Sequence, residues 1–97
     1  MRKGSYNMKK YEFTGETKSI GTLILRRIRR ISDGDLGGWI EQEENLSHDG
    51  NCWVAGDARI FENAQVSGNA RVSGDAQVSG WAEVFGDALL ASAALDR

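Results

Sequence analysis

The sequence predicts an all-β protein: a parallel β-helix of about three coils with a β-hairpin cap at its N-terminal end. Three observations carry that expectation. First, residues 54–89 divide into six units of six: Val54-Ala-Gly-Asp-Ala-Arg, Ile60-Phe-Glu-Asn-Ala-Gln, Val66-Ser-Gly-Asn-Ala-Arg, Val72-Ser-Gly-Asp-Ala-Gln, Val78-Ser-Gly-Trp-Ala-Glu and Val84-Phe-Gly-Asp-Ala-Leu. The first place is always Val or Ile and the fifth always Ala; the third is Gly in all but one unit, and the fourth is Asp or Asn in all but one, where Trp81 stands. Second, a branched residue every sixth place with a small one four further on cannot mark a helical stripe, which needs a 3.6-residue period. Third, Gly and Asp/Asn recur side by side. Both tolerate left-handed backbone at little cost, so each unit reads as one short strand and one tight corner.

Three units close a triangular coil, and successive coils stack at about 4.8 Å, the ordinary spacing of paired strands. Val54, Val72 and Leu90 then form one inward column, while Ile60 with Val78, and Val66 with Val84, form the other two. The phase runs upstream. Gly50 falls in the Gly column, Asn51-Cys52 and Asn45-Leu46 repeat the corner-and-small pair, and Leu36 falls in the Val column. The solenoid is therefore expected over residues 36–90, and three coils is about the minimum for a stacked repeat to stand alone.

The two ends depart from the repeat. Residues 1–9 read as a disordered tail. Residues 10–35 read as the hairpin cap, because an open solenoid end exposes strand edges. Within it Tyr11-Glu-Phe-Thr14 alternates and Gly15-Glu16 reads as a turn. Ile20–Ile31 is rich in Ile, Leu and Arg, and places Thr22, Ile24, Arg26, Ile28 and Arg30 on one strand face. Residues 91–97 lose the Gly-Asp corner and become apolar and helix-compatible, a C-terminal cap or an interface segment.

The six Val/Ile…Ala units resemble those of the hexapeptide-repeat left-handed β-helix superfamily. That resemblance implies left-handed coils, against the general right-handed rule for crossovers. It leaves activity open, since the superfamily includes acyltransferases, carbonic-anhydrase-like enzymes and non-catalytic scaffolds. Four segments, Lys10-Tyr-Glu-Phe-Thr-Gly-Glu-Thr-Lys-Ser-Ile, Leu25-Arg-Arg-Ile-Arg-Arg-Ile, Gly34-Asp-Leu-Gly-Gly-Trp-Ile-Glu and Glu44-Asn-Leu-Ser-His-Asp-Gly-Asn-Cys-Trp-Val, resemble small bacterial and phage proteins of no settled function. Here the resemblance implies a phage or mobile-element setting and a host protein as a partner.

Ninety-seven residues make one domain, and a chain this short often leans on oligomerisation. No apolar run is long enough to cross a membrane. Cys52 is the single cysteine, which fits a reducing cytoplasm. Charge is unevenly placed. Residues 1–31 hold nine basic and two acidic residues, and residues 32–97 hold three basic and twelve acidic, so the halves carry +7 and −9. Such halves attract one another within a chain or between copies.

The side chains that could carry chemistry are few. His48 is the only histidine. The resemblance to acyltransferases suggests a general base, with CoA between subunits. The register puts His48 in the inward Val column beneath Val66, where a cap histidine bonded to a carbonyl is expected instead. One histidine excludes a histidine-rich metal site. Cys52 sits at an inward small position with no base at hand, a buried structural cysteine. Asp57, Asn63, Asn69, Asp75 and Asp87 are accounted for by corner chemistry, and Gly34, Gly37 and Gly38 are too sparse for a phosphate loop. No catalytic residue, metal or cofactor is expected.

Two surface features remain. Arg26, Arg27, Arg29 and Arg30 form a candidate polyanion contact, unless they pair with Asp33, Asp35, Glu41, Glu43 and Glu44 or stay solvated. Phe61, Trp81 and Phe85 fall at outward places of the repeat and, with Leu89, Leu90 and Leu95, form a candidate interface. The reading favoured is a non-catalytic binding or assembly module that forms a homo-oligomer, dimer or trimer. The alternatives are a nucleic-acid or nucleotide binder through the arginines, and a minimal acyltransferase-like enzyme using His48.

Overall fold

A computed structural model describes residues 9–97. The residues expected as a tail, apart from Lys9, lie outside the described residues. A hairpin of β1 (Tyr11–Ile20) and β2 (Leu23–Arg30) leads into β3 (Leu36–Ile40) and a short 3₁₀ helix at Glu43–Asn45. Eight short strands follow: β4 (Trp53–Val54), β5 (Arg59–Ile60), β6 (Gln65–Val66), β7 (Arg71–Ser73), β8 (Gln77–Ser79), β9 (Glu83–Val84), β10 (Leu89–Ala91) and β11 (Ala94–Asp96). They pair in parallel as three sheets, β3-β5-β8-β11, β4-β7-β10 and β6-β9. These are the sides of a β-solenoid of about three turns. The hairpin adds β2 and then β1 antiparallel to the free edge of β3, so one side becomes a six-stranded sheet.

The repeat places the core. Val54 pairs with Val72 and Val72 with Leu90; Ile60 pairs with Val78 and Val66 with Val84. These columns, with Ala58, Ala64, Ala70, Ala76 and Ala82 at the adjoining corners, form the buried interior. Each buried Val or Ile is worth about 1.5–3 kcal/mol. The corners stack as tightly as the sides. Gly68 has φ +68°, and a Cβ built on it would lie 2.9 Å from the Gly86 nitrogen. Glu62 and Ser92 stand where the other corners have Gly and adopt the same left-handed backbone, φ 59° and 53°. At Glu62 the strain is offset by hydrogen bonds. Its N–H donates to Glu41 Oε1 at 2.6 Å, and its own carboxylate accepts from the Gly80 N–H at 2.8 Å.

The first coil departs from the expected register. Ile40 lies under Ile60 and Leu46 under Val66, twenty residues apart in each case. From Trp53-Val54 to β10 the eighteen-residue spacing holds. The extra pair sits in the corner between Leu46 and Cys52. Leu36, expected in the inward column, instead pairs with Arg29 and is 49% exposed. Asn45 is buried at the corner, where its Oδ1 accepts the N–H groups of Glu41 and Gln42 and its Nδ2 donates to the carbonyls of Glu62 and Ala64. A buried amide with all its capacity used costs little to bury.

The hairpin turns at Gly21-Thr22, whereas Gly15-Glu16, expected as the turn, lies inside β1. Its β1–β2 register slips between Phe13 and Thr17, and β2–β3 slips between Arg27 and Arg29. Strict alternation is therefore lost. Ile28 joins the core and Leu25 is buried, whereas Ile24 is exposed. The C-terminal segment is a strand rather than a helix or a separate cap. β11 pairs with β8, with Leu95 over Val78, and completes the last coil through a corner one residue short at Ser92-Ala93. Branched and unbranched apolar residues serve equally once a coil beneath offers a ladder. Among the described residues no helix is long and apolar enough to cross a membrane.

The corner stacking predicts unequal costs for two glycine substitutions. Gly21, φ +61° in the hairpin turn, has open space around it. Gly21→Ala should cost about 1 kcal/mol, for left-handed backbone alone. Gly68→Ala should cost about 2–4 kcal/mol, because it must also push two coils apart. Urea unfolding midpoints measure both, and equal values would show that corner contact is not limiting.

Candidate functional site

The extra pair in the first coil builds a polar joint between hairpin and solenoid. The expectation that His48 lies beneath Val66 fails, because Leu46 takes that place. His48 is lifted out of the column and stacks on Tyr11, ring centroids 4.0 Å apart and planes at 14°. Its Nδ1 accepts the Lys10 backbone N–H at 3.0 Å, and its Nε2 lies 2.8 Å from Glu43 Oε2. Its bonds are thus to a carboxylate and an amide, not to a carbonyl as expected. A neutral imidazole has one donor and one acceptor. This pattern uses both, with the proton on Nε2, and leaves no lone pair for an incoming hydroxyl or amine.

The neighbours complete the joint. The Tyr11 hydroxyl donates to the Leu46 carbonyl at 2.5 Å, with the Glu43 carbonyl 3.0 Å away, and burial pushes its pKa above the ordinary phenol value. The hydrogen bond from His48 holds the Glu43 carboxyl below its usual range against the opposing effect of burial, and Lys9, 3.1 Å away, adds to it. Lys10 Nζ donates to the Cys52 carbonyl at 2.7 Å and lies 3.3 Å from its sulfur. Cys52 is buried, as the register requires. Among the described residues no three His, Cys, Asp or Glu side chains converge as a metal ion would need. Sequence reasoning raised Glu43 only as a possible arginine partner and did not single out Tyr11, Lys9 or Lys10 for a site. The available signal was the misfit of Ser47-His48-Asp49 to the six-residue phase.

The four arginines of β2 are largely engaged. Arg29 bonds Glu12 at 2.7 Å, Arg30 bonds Asp33 at 3.1 Å and reaches Asp35 at 3.4 Å, and Arg27 donates to the Gly37 carbonyl and lies 3.9 Å from Glu16. The Arg30 hydrogen bond holds Asp33 below the usual carboxylate range. Arg26, Arg27 and Arg30 lie over the rings of Phe13, Trp39 and Trp53. Asp33 and Asp35 take the expected pairing, while Glu41, Glu43 and Glu44 do not. These contacts cover Trp39 and Trp53, both buried.

The opposite end of the solenoid is open. Trp81, Phe85 and Leu89 are 73%, 63% and 75% exposed. Two adjoining hollows of about 400 and 310 Å³ share Glu83, Phe85 and Leu95; one is walled by Trp81, Ala82 and Arg97, the other by Val84, Ala88, Leu89 and Leu90. Five of the six expected interface residues, Trp81, Phe85, Leu89, Leu90 and Leu95, thus gather at one end. Phe61 does not join them; it sits half-buried one coil below, its N–H bonded to Val78. Of the inward residues of the last coil, Val84 is buried and Leu90 and Leu95 are half-buried, and among the described residues no strand pairs above them.

The joint predicts a pH dependence with a definite sign. The folded Glu43 pKa is depressed, so its contribution to stability is full above its unfolded value of about 4.3 and is lost as pH falls through the folded one. Urea midpoints measured from pH 6 down to pH 3 should fall more steeply for the native sequence than for Glu43→Gln. Tyr11→Phe should cost about 1–3 kcal/mol near neutral pH, the consequence of an unpaired buried carbonyl.

No family model matches the chain. It is similar to a protein of Escherichia coli (strain K12) described as the uncharacterized acetyltransferase YdcK, 38% identical over 61 residues. That stretch takes in 48% of this chain and 19% of the relative, so the chain spans about a fifth of that protein's length. The six-residue period of Val54–Leu89, the stacked columns it builds and this likeness agree. The protein is a hexapeptide-repeat β-helix.

Proposed function

We propose that the protein is a non-catalytic assembly module, a rigid β-solenoid that associates through its open C-terminal end. The observation that carries this reading is the gathering of Trp81, Phe85 and Leu89, each more than 60% exposed, beside the half-buried Leu90 and Leu95. An apolar surface of this kind rimmed by polar residues is an interaction site. At the opposite end Tyr11 is buried beneath the hairpin, and the large apolar residues exposed there, Ile24, Ile31 and Leu36, are less exposed than those of the C-terminal end.

A second reading, acyl transfer, is favoured by the name of the E. coli relative. It requires a base, and His48 has both ring nitrogens committed. Polyanion binding through Arg26, Arg27, Arg29 and Arg30 would have to break ion pairs with Glu12, Asp33 and Asp35 first.

Two measurements separate these readings. Trp81→Ser should leave the far-ultraviolet dichroism unchanged and alter the mass seen by light scattering. Calorimetry with acetyl-CoA should show no binding at millimolar ligand. Saturable acetyl-CoA binding, with acetyl transfer abolished by His48→Ala, would replace the assembly reading with the enzymatic one.

A further inference from the structure

In each lower coil the outward residues send backbone N–H groups up to the next. Gln65 N–H reaches the Ala82 carbonyl at 3.0 Å, Ser67 N–H the Val84 carbonyl at 2.9 Å and Arg71 N–H the Ala88 carbonyl at 2.9 Å. Glu83 and Leu89 are the partners of Gln65 and Arg71 one coil higher, and no strand among the described residues lies above them. β9, β10 and β11 are therefore edge strands on all three sides of one coil, around an apolar centre formed by Val84, Leu90 and Leu95.

We infer that this end is closed by the same end of a second copy, the two last coils meeting tail to tail about a two-fold axis. The inference rests on the assembly reading and names its partner and geometry. A single peptide strand added to one edge would satisfy one side and leave the centre wet. Only a body of the same triangular section meets three edges and the centre together. The N-terminal end of another copy is not such a body, because β2 already occupies the β3 edge and Tyr11 closes the Leu46 side. The same end of a second copy is, and a two-fold contact is self-complementary, pairing the edges antiparallel.

Size comes close to what this occupant needs, and charge sets how the contact responds to salt. A standard interface uses about 20–30 residues a side. The last coil, residues 80–97, supplies slightly fewer, among them the exposed Trp81, Phe85 and Leu89. The coil carries Glu83, Asp87 and Asp96 against Arg97, so like charges face each other across the axis. Exposed rim repulsion is screened by salt. A tail-to-tail dimer therefore tightens as salt rises, whereas a contact between the basic hairpin and this acidic end would loosen.

The test is sedimentation over a concentration series at low and high salt, with amide hydrogen exchange on the native chain. A dimer is expected, tighter in high salt, with the Glu83, Phe85 and Leu89 amides exchanging more slowly as concentration rises. The double variant Phe85→Glu with Leu89→Glu should weaken the dimer at least about tenfold. A dimer with unprotected edge amides, or one that loosens with salt, overturns the inference and leaves the assembly reading standing. A trimer overturns it too, and a monomer at every concentration overturns both. If the double variant does not fold, exchange on the native chain decides.

Discussion

Close stacking of left-handed corners is the constraint on which the rest of the structure depends. A coil of three short strands can lie at strand spacing on the next coil only if its corners approach as closely as its sides. At those corners a Cβ has no place: one built on Gly50 or Gly68 meets the backbone of the corner above. Once the corners are flat and left-handed, Val and Ile are set one above another and the small corner residues fill the angles between them. Glu62 shows how strong the demand is. It takes the glycine conformation despite its side chain, because hydrogen bonds to Glu41 and Gly80 hold it there.

A stack of this kind has two ends, and the chain treats them differently. At the N-terminal end, a corner longer by two residues frees His48 to clamp the hairpin. One aromatic stack and three hydrogen bonds tie Tyr11, Lys10 and Glu43 into a single joint. Chemistry that reads as catalytic in isolation, a histidine beside a glutamate, is spent on holding the cap. At the C-terminal end β9, β10 and β11 have no further strand above them among the described residues, with Val84 buried and Leu90 and Leu95 half-buried. The contrast between a closed end and an open one is the physical basis for assigning function to the latter, because edges and apolar centres left free are where a solenoid gains a partner.

The arginines of β2 illustrate how a charge run can mislead. Their number suggests a polyanion site, yet the hairpin brings Glu12 across from Arg29, and the turn after β2 folds Asp33 and Asp35 back onto Arg30. Guanidiniums lie over Phe13, Trp39 and Trp53, so the same groups neutralise charge and cover aromatic faces.

By itself the sequence determined the solenoid from Trp53 onward, its three columns and its corners, because each six-residue unit carries its own strand and turn chemistry and every coil repeats it. It assigned Phe61, Trp81 and Phe85 to outward places, since the period gives each place a side; of these Trp81 and Phe85 are exposed and Phe61 is half-buried. Only the tertiary structure decided the first coil, where Ile40 and Leu46 rather than Leu36 and His48 take the inward places. Two extra residues in one corner shift the phase, and a loop's length does not say which turn absorbs it. The tertiary structure likewise decided that Leu95 closes a coil, because a three-residue apolar segment has no preference strong enough to outweigh a free ladder beneath it. The joint around His48 was illegible for the same reason: its members lie over thirty residues apart, and only the docking of the hairpin brings them together.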